Sequence, residues 1–364
     1  MKKIACLVTN DLHQDQRMNR ICSALVKAGY AVTLVGRKRK SSTELSPKPF
    51  SCVRLNCWFE SSFLFYAEYN IRLFFYLISH QFDIINANDL DTILPAIWAG
   101  NIKKSKVVYD AHEYFTEQEE VVNRPTVKKI WKKIERYGIP KVSAAYTVSN
   151  GYANLFQQEY NREFKVVANA TVLADQPKKS DKSKPYILYQ GAVNYGRGLE
   201  QLIEAMKEVN CQLVICGDGD ILDELKQKTK ELNLDHTIEF KGFVEPEKLR
   251  EITYGATIGL TLFANDGLSH WFSLANRFFD YMHAGVPQIA MEYPEYIEFN
   301  KKDEVAILIK NIEPVNISKA LNELLQNTDL YAKISENCLR AKMHANWQTQ
   351  EKVLLNVYQN LNGN

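Results

Sequence analysis

At 364 residues, with 46% hydrophobic and 24% charged residues, the sequence has the length and composition of a two-domain soluble globular protein and excludes a disordered or fibrous chain. Net charge is only +2, but residues 1–184 carry ten more basic than acidic residues, and residues 185–364 eight more acidic than basic. That asymmetry points the first half toward an anionic partner, either nucleic acid or a membrane surface. No uncharged apolar stretch reaches the roughly 18 residues of a membrane span. Ile4–Val8 is too short for the core of a secretory signal. The seven cysteines are odd in number and contain no CxxC, a reduced pattern that leads us to expect a cytoplasmic protein.

Ile4–Val8 reads as a buried strand ending in the polar loop TNDLHQDQR. Met18, Ile21, Cys22, Leu25 and Val26 then recur at helical spacing up to Gly29, before a second strand over Ala31–Val35. Strand, loop, helix and strand in that order form a βαβ unit opening a parallel sheet. The first loop holds Asp15 and Arg17 at a strand's carboxyl end, where open α/β sheets bind ligands. Residues 37–49 read as a charged, proline-bearing loop. Residues 58–82 suit an aromatic helix with a wide apolar face, either a core helix or one that dips into a membrane or faces an acceptor.

Strands follow over Asp83–Ala87, Lys106–Asp110, Ala144–Val148 and Val166–Asn169, alternating with helices. One of these helices is strongly basic, with Lys128, Lys129, Lys132, Lys133 and Arg136. Ser149 is placed to cap the helix that runs to Tyr160. Asp89-Leu90-Asp91 spells DxD, but its place between strand and helix favours capping over metal binding. Residues 173–184 are polar and proline-bearing, the composition of a linker. A second strand series then occupies Tyr186–Tyr189, Gln212–Cys216, Thr237–Phe240, Ile258–Leu262, Gln288–Met291 and Ala306–Ile309, again alternating with helices. Residues 329–361 are helical, with a break near Asn346-Trp347.

Two stretches carry chemistry. YQGAVNYGRGL (189–199) is a glycine-spaced loop entering a helix; its glycines let backbone N–H groups approach a phosphate, and Arg197 adds a fork of donors. The next strand ends in Gly217-Asp218-Gly219, which is not a full GxGxxG and argues against a dinucleotide enzyme. The second stretch is 266–289. It opens as polar loop, becomes a helix at Ser273 with Asn276 three residues on, and closes on Gly285 in a left-handed cap before Pro287. A serine-capped helix start under a polar loop is an anion site. Asp280, farther along that helix, is placed to accept hydrogen bonds from a ribose. No cluster has metal-ligand spacing, so neither a metal nor a cofactor is expected.

The segments TNDLHQDQRMNR, FDIINANDLDTILPA, VVYDAHEYF and AYTVSNGYANLF, followed by YQGAVNYGRGLEQLIEA, VICGDG, IEFKGFVEPEKLRE and NRFFDYMHAGVPQIA, together resemble the GT-B glycosyltransferases of family-4 type. The resemblance covers nearly the whole chain. It implies an α/β protein of two Rossmann-like domains facing across a central cleft. The acceptor domain would be 1–172, joined through the linker 173–184 to a nucleotide-sugar domain 185–345, with 346–364 returning to the first domain.

The activity so implied is transfer of a hexosyl unit from a UDP- or GDP-linked sugar to a glycan or lipid-linked acceptor in surface polysaccharide synthesis. Retention and metal independence are expected, with no nucleic-acid partner. On the donor side the resemblance points to Gly191, Arg197, Gly217 and Gly219 about the diphosphate, and to Phe243 and Val244 against the base. Ser273, Leu274, Asn276 and Arg277 fall at the helix start, and Asp280 at the ribose. His112 matches the histidine at the reaction centre, where it and Arg197 would be catalytic; Asp15, Arg17 and Glu113 are the acceptor-side candidates. The basic, aromatic first half suggests peripheral contact with the inner face of the cell membrane. Two positions depart from the family pattern. Its arginine after the glycine is Ala192, and its sugar-contacting glutamate falls on Phe272, leaving Asp266, Ser269 and His270 as the nearby polar candidates. A nucleotide-sugar epimerase or hydrolase of the same fold, and an inactive partner protein, stay open as alternatives.

Overall fold

The computed structural model describes residues 1–13, 15–174 and 184–361, so most of the expected linker, 175–183, lies outside the described residues. The chain forms two compact units, Met1–Ala168 with Gln350–Asn364, and Asn169–Thr349.

The first unit is built on a seven-stranded parallel sheet. In chain order its strands are β1 (Lys3–Leu7), β2 (Ala31–Lys38), β3 (Ser51–Asn56), β4 (Ile84–Asn88), β5 (Lys106–Ala111), β6 (Ala144–Thr147) and β7 (Lys165–Val166). Their spatial order is β3-β2-β1-β4-β5-β6-β7. Beyond its first residue β1 is buried throughout, as expected of a strand covered by helices on both faces. β3 is absent from the sequence reading. Its residues SCVRLN are half-buried at the sheet edge, so neither a continuous apolar run nor a clean alternation marks them. β2 also runs on to Lys38, into the stretch read as loop. The aromatic helix is Ser62–Ser79, with Phe65, Tyr69, Leu73 and Leu77 buried. Tyr358, on the last helix Trp347–Asn360, is fully buried, with its ring 6.3 Å from that of Tyr30.

The second unit has a six-stranded parallel sheet: β8 (Tyr186–Gln190), β9 (Gln212–Cys216), β10 (Ile238–Gly242), β11 (Ile258–Thr261), β12 (Gln288–Met291) and β13 (Ala306–Ile309). Their order is β10-β9-β8-β11-β12-β13. This is the doubly wound order, and the first six strands of the other sheet share it. Each sheet reverses its winding beside its first strand, between β1 and β4 and between β8 and β11. Ligands of such sheets bind in the crevice at the carboxyl ends there. No helix among the described residues is long and apolar enough to cross a membrane.

Candidate functional site

In the second unit the switch point is lined by the loop after β8, the loop after β11 and the helix Asn276–Ala284. Gly191, Gly196 and Gly198 have φ of 132°, 73° and 68°. Gly196 also lies close under another loop, since a Cβ there would stand 2.6 Å from Asp266 Oδ2 and 3.0 Å from the His270 ring. The loop is braced from below. Tyr189 donates its hydroxyl to the Ala192 carbonyl (2.6 Å), and Ala264 N–H donates to the Gly196 carbonyl (2.8 Å).

Two arginines meet there. Arg277 is buried; its guanidinium donates to the carbonyls of Gln190 and Leu262, both at 3.2 Å, and lies 4.7 Å from the Tyr189 ring. The Phe263 ring carries both cations, with the guanidinium carbon of Arg197 at 5.0 Å and that of Arg277 at 4.8 Å. The buried Nε of Arg277 has no hydrogen-bond partner among the described residues. Beside them His270 Nδ1 stands 2.6 Å from Asp266 Oδ1. Burial, and next the Arg197 charge, hold the His270 pKa below its ordinary value even though Asp266 pulls it up. Two guanidiniums and an imidazole thus line a cationic cradle at the switch point, an arrangement whose chemistry suits an anion.

The helix that closes the cradle starts later than expected. Ser273 does not cap it: its hydroxyl donates to the His270 carbonyl (2.9 Å), finishing a short turn at Leu268–Trp271. The helix begins at Asn276 behind an extended Ala275, which makes no side-chain cap. Leu274 is half-buried and Asn276 exposed. At the far end Gly285 does take the left-handed cap, φ 69°. Asp280 is gripped on both oxygens, by the Thr171 hydroxyl (2.5 Å) and the Gln190 amide (3.0 Å), while Thr253 donates to the other end of Gln190 (2.7 Å).

Gly217 and Gly219 pack against the glycine loop. A Cβ on either would fall within 2.1 Å of Gly191 or Asn194 oxygens. Phe243 is exposed, whereas Val244 packs on the core cluster of Leu188, Val214 and Tyr281.

The first unit's switch point gathers ionisable groups instead. Asp15 caps the helix Gln16–Lys27, accepting from Met18 N–H (2.8 Å) and from the Asn10 amide (2.7 Å). Arg17 is buried and pairs with buried Asp110 on β5, through Nη2 at 2.6 Å and Nε at 3.2 Å. The two candidates thus help build the crevice. The capping reading of Asp89 needs correction. Its side chain makes no cap bond on the turn it precedes; Oδ1 accepts the N–H groups of His112 (2.9 Å) and Glu113 (3.3 Å), fixing the loop after β5. Asp91 is buried and accepts from the Thr9 hydroxyl (2.7 Å). The Glu113 carboxylate accepts from Gln118.

His112 therefore sits on a loop pinned by Asp89, with Nδ1 4.0 Å from Asp89 Oδ2 and 32% of its side-chain surface open to solvent. Enclosure, and then the Arg17 and Arg20 charges, bring its pKa down to about 3. The ring is therefore neutral near pH 7. The sequence reading included Tyr189 and Gln190 at the head of the glycine stretch but gave them no role, and it missed Phe263; all three look like ordinary strand-end residues, and only their position at the switch point could have singled them out.

Known proteins resemble the chain throughout. Residues 173–340 match the family model described as Glycosyl transferases group 1, and residues 15–174 that described as Glycosyltransferase Family 4. MJ1607 of Methanocaldococcus jannaschii, described as an uncharacterized glycosyltransferase, is 25% identical over 179 residues, 47% of this chain. The match spans only 44% of that curated relative's own length. Sucrose-phosphate synthase from Thermosynechococcus elongatus superposes with a TM-score of 0.78 at 15% identity, covering 99% of both chains. Anabaena HepE in complex with UDP-glucose superposes with a TM-score of 0.78 at 14% identity, covering 99% of this chain and 100% of that one. At such identities the likeness is one of fold.

Proposed function

We propose, for a chain that belongs to the family-4 type of GT-B glycosyltransferases, that it moves a hexosyl unit from a nucleotide-diphosphate sugar to a glycan or lipid-linked acceptor in surface polysaccharide synthesis. The observation that carries this reading is the pairing of Arg197 and Arg277 over the Phe263 ring beside the glycine loop. Glycosyl transfer from a diphosphate needs charge stabilisation on the leaving group, and two fixed guanidiniums with loop and helix N–H groups supply it. HepE is seen with UDP-glucose, which favours a UDP donor here over a GDP one.

In this reading the diphosphate lies on Arg197, the glycine loop after β8 and the N-terminus of the helix Asn276–Ala284. Arg277, tied to two carbonyls, adds its charge from below. Asp280, held by Thr171 and Gln190 at the switch point, is the carboxylate this reading assigns to a ribose hydroxyl, since each carboxylate oxygen can accept more than one hydrogen bond. The base stacks near exposed Phe243. The transfer is retaining and metal-independent. The bond from the anomeric carbon to phosphate breaks, the bond to the acceptor oxygen forms on the same face, and the leaving phosphate takes the acceptor proton. His112, neutral and oriented by its loop, hydrogen-bonds the sugar and steadies positive charge developing on the ring.

A thermal-shift screen against UDP-, GDP-, ADP- and dTDP-sugars without added metal tests this, because a ligand of the folded state raises the melting temperature. A shift with one nucleotide, lost in Arg197→Ala, followed by sugar transfer to a lipid-linked acceptor, is the expected result. No shift with any of them at millimolar concentration would sink the reading and leave an inactive partner protein. Free sugar released without an acceptor would replace it with a hydrolase.

A further inference from the structure

The helix Ser62–Ser79 is apolar on two sides. Phe65, Tyr69, Leu73 and Leu77 are buried, and Phe63, Ala67, Ile71 and Phe75, also one turn apart, are exposed. Phe63 is 76% exposed, Ile71 58% and Phe75 60%. A helix that only covers a sheet turns polar residues outward. The helix's two charged residues do not break this stripe, because Glu68 and Arg72 pair with each other at 2.7 Å. They also fix the preceding loop. Glu68 accepts the N–H groups of Trp58 and Phe59 at 2.9–3.0 Å, and Arg72 lies 4.7 Å from the Trp58 ring, which is nevertheless 82% exposed. A tryptophan is thus held out into solvent at one end of the stripe.

The surface continues onto neighbouring helices. The Phe74 ring lies 5.6 Å from Phe75 and 6.4 Å from Trp98, and Trp98 and Ile102 are exposed on the helix Ile93–Lys103. The helix Pro125–Gly138 is joined to the first through Tyr66 and Trp131, rings 5.5 Å apart. It exposes Lys129, Lys133 and Arg136 together with Ile130 and Tyr137, and its one acid, Glu135, is buried. Lys129 and Lys133 form no ion pair among the described residues.

We propose that this face of the first unit docks on an anionic lipid bilayer, lying in the interface. Aromatic and branched side chains enter the headgroup boundary, Trp58 anchors at its rim, and the cations of Pro125–Gly138 meet lipid phosphates. The charge pattern selects this occupant. A second copy of the chain on the same face would bring like-charged lysine rows together, whereas an anionic bilayer complements both the stripe and its cations. The inference goes beyond the transfer reading and stands without it.

The test is co-sedimentation of the full chain with vesicles of phosphatidylcholine alone and of phosphatidylcholine with phosphatidylglycerol. Binding is expected to the anionic vesicles and to weaken with salt. It should fall roughly tenfold or more in Lys129→Glu/Lys133→Glu and in Phe63→Ser/Ile71→Ser/Phe75→Ser. Melting temperatures of the variants, expected near wild type because these side chains are exposed, separate lost docking from lost folding. Wild type left in the supernatant at low salt with every composition would overturn the proposal. So would light scattering showing a dimer that the Phe63/Ile71/Phe75 variant converts to monomer, which would make the face a self-association surface.

Discussion

A Cβ on Gly217 would stand 1.8 Å from the carbonyl oxygen of Gly191. The loops after β8 and β9 therefore touch backbone to backbone, and Gly191 N–H donates to the Cys216 carbonyl at 3.0 Å. Gly217→Ala must part them, and we expect a loss of about 2–4 kcal/mol. Gly242 also has positive φ (62°), but no atom lies within 4 Å of its Cβ position. Gly242→Ala should cost only about 1 kcal/mol of backbone strain. Urea denaturation of the two variants side by side checks this; equal losses would refute the packing account.

Arg197 and Arg277 should respond differently to removal. Arg197 is half-buried, and its loss should leave stability within about 1 kcal/mol while weakening nucleotide binding roughly 10- to 100-fold, the worth of a charge-assisted hydrogen bond. Arg277→Met leaves the Gln190 and Leu262 carbonyls without their donor and should cost about 2–4 kcal/mol of folding stability as well. Calorimetric titration with UDP, paired with melting curves, separates the two cases.

Asp91 provides a pH signature. Burial raises its pKa from 3.8 to about 7, although the Thr9 hydrogen bond opposes that shift. Because the folded state holds the proton more tightly than the unfolded chain, Asp91 contributes stability below about pH 4 that is lost as pH rises through about 7. The full shift corresponds to at most about 4 kcal/mol. Asp91→Asn should flatten the stability profile between these values and make the protein relatively more stable at pH 8. Denaturant midpoints of both proteins across pH 4–8 decide it, and parallel profiles would count against this role.

His112 has its pKa lowered to about 3, first by enclosure and then by Arg17 and Arg20. The pH profile of transfer should therefore show no acid limb near the ordinary histidine value of 6.5. His112→Ala should lower turnover about 100-fold or more and leave UDP affinity unchanged. Initial rates from pH 5 to 8, with UDP titrations of the variant, test both statements.

Asp110 and Arg17 form the buried ion pair beneath that loop. Removing one partner strands the other charge, so Asp110→Asn should destabilise by about 3–5 kcal/mol. The double variant Arg17→Met/Asp110→Leu should recover much of that loss. A double-mutant cycle in urea measures it, and strict additivity would argue that the pair is not coupled.

Much of this architecture is legible from local pattern. Runs such as Ile4–Val8 and Gln212–Cys216 are covered on both faces, so hydrophobicity alone marks them as strands. Gly285 in its left-handed cap is equally local. What escaped depends on contacts distant in sequence. β3 belongs to the sheet only through its pairing with β2. Asp89 looks like a cap until the loop after β5 arrives to claim its carboxylate. Ser273 has the chemistry of an N-cap, but the preceding turn takes its hydroxyl first. The Phe263 platform joins residues from β8, the loop after β11 and a helix, and no spacing rule links Tyr189 to Arg277.

The division of the chain has a consequence during synthesis. The unit that begins at Met1 is completed by residues from Gln350 onward, with Tyr358 buried beside Tyr30, while Asn169–Thr349 is contiguous. A chain emerging from the ribosome can thus finish its second unit while the first still lacks a piece of its core. The half translated earliest is the last to mature, and a late stop codon that spares Asn169–Thr349 entirely would still cripple the half made first.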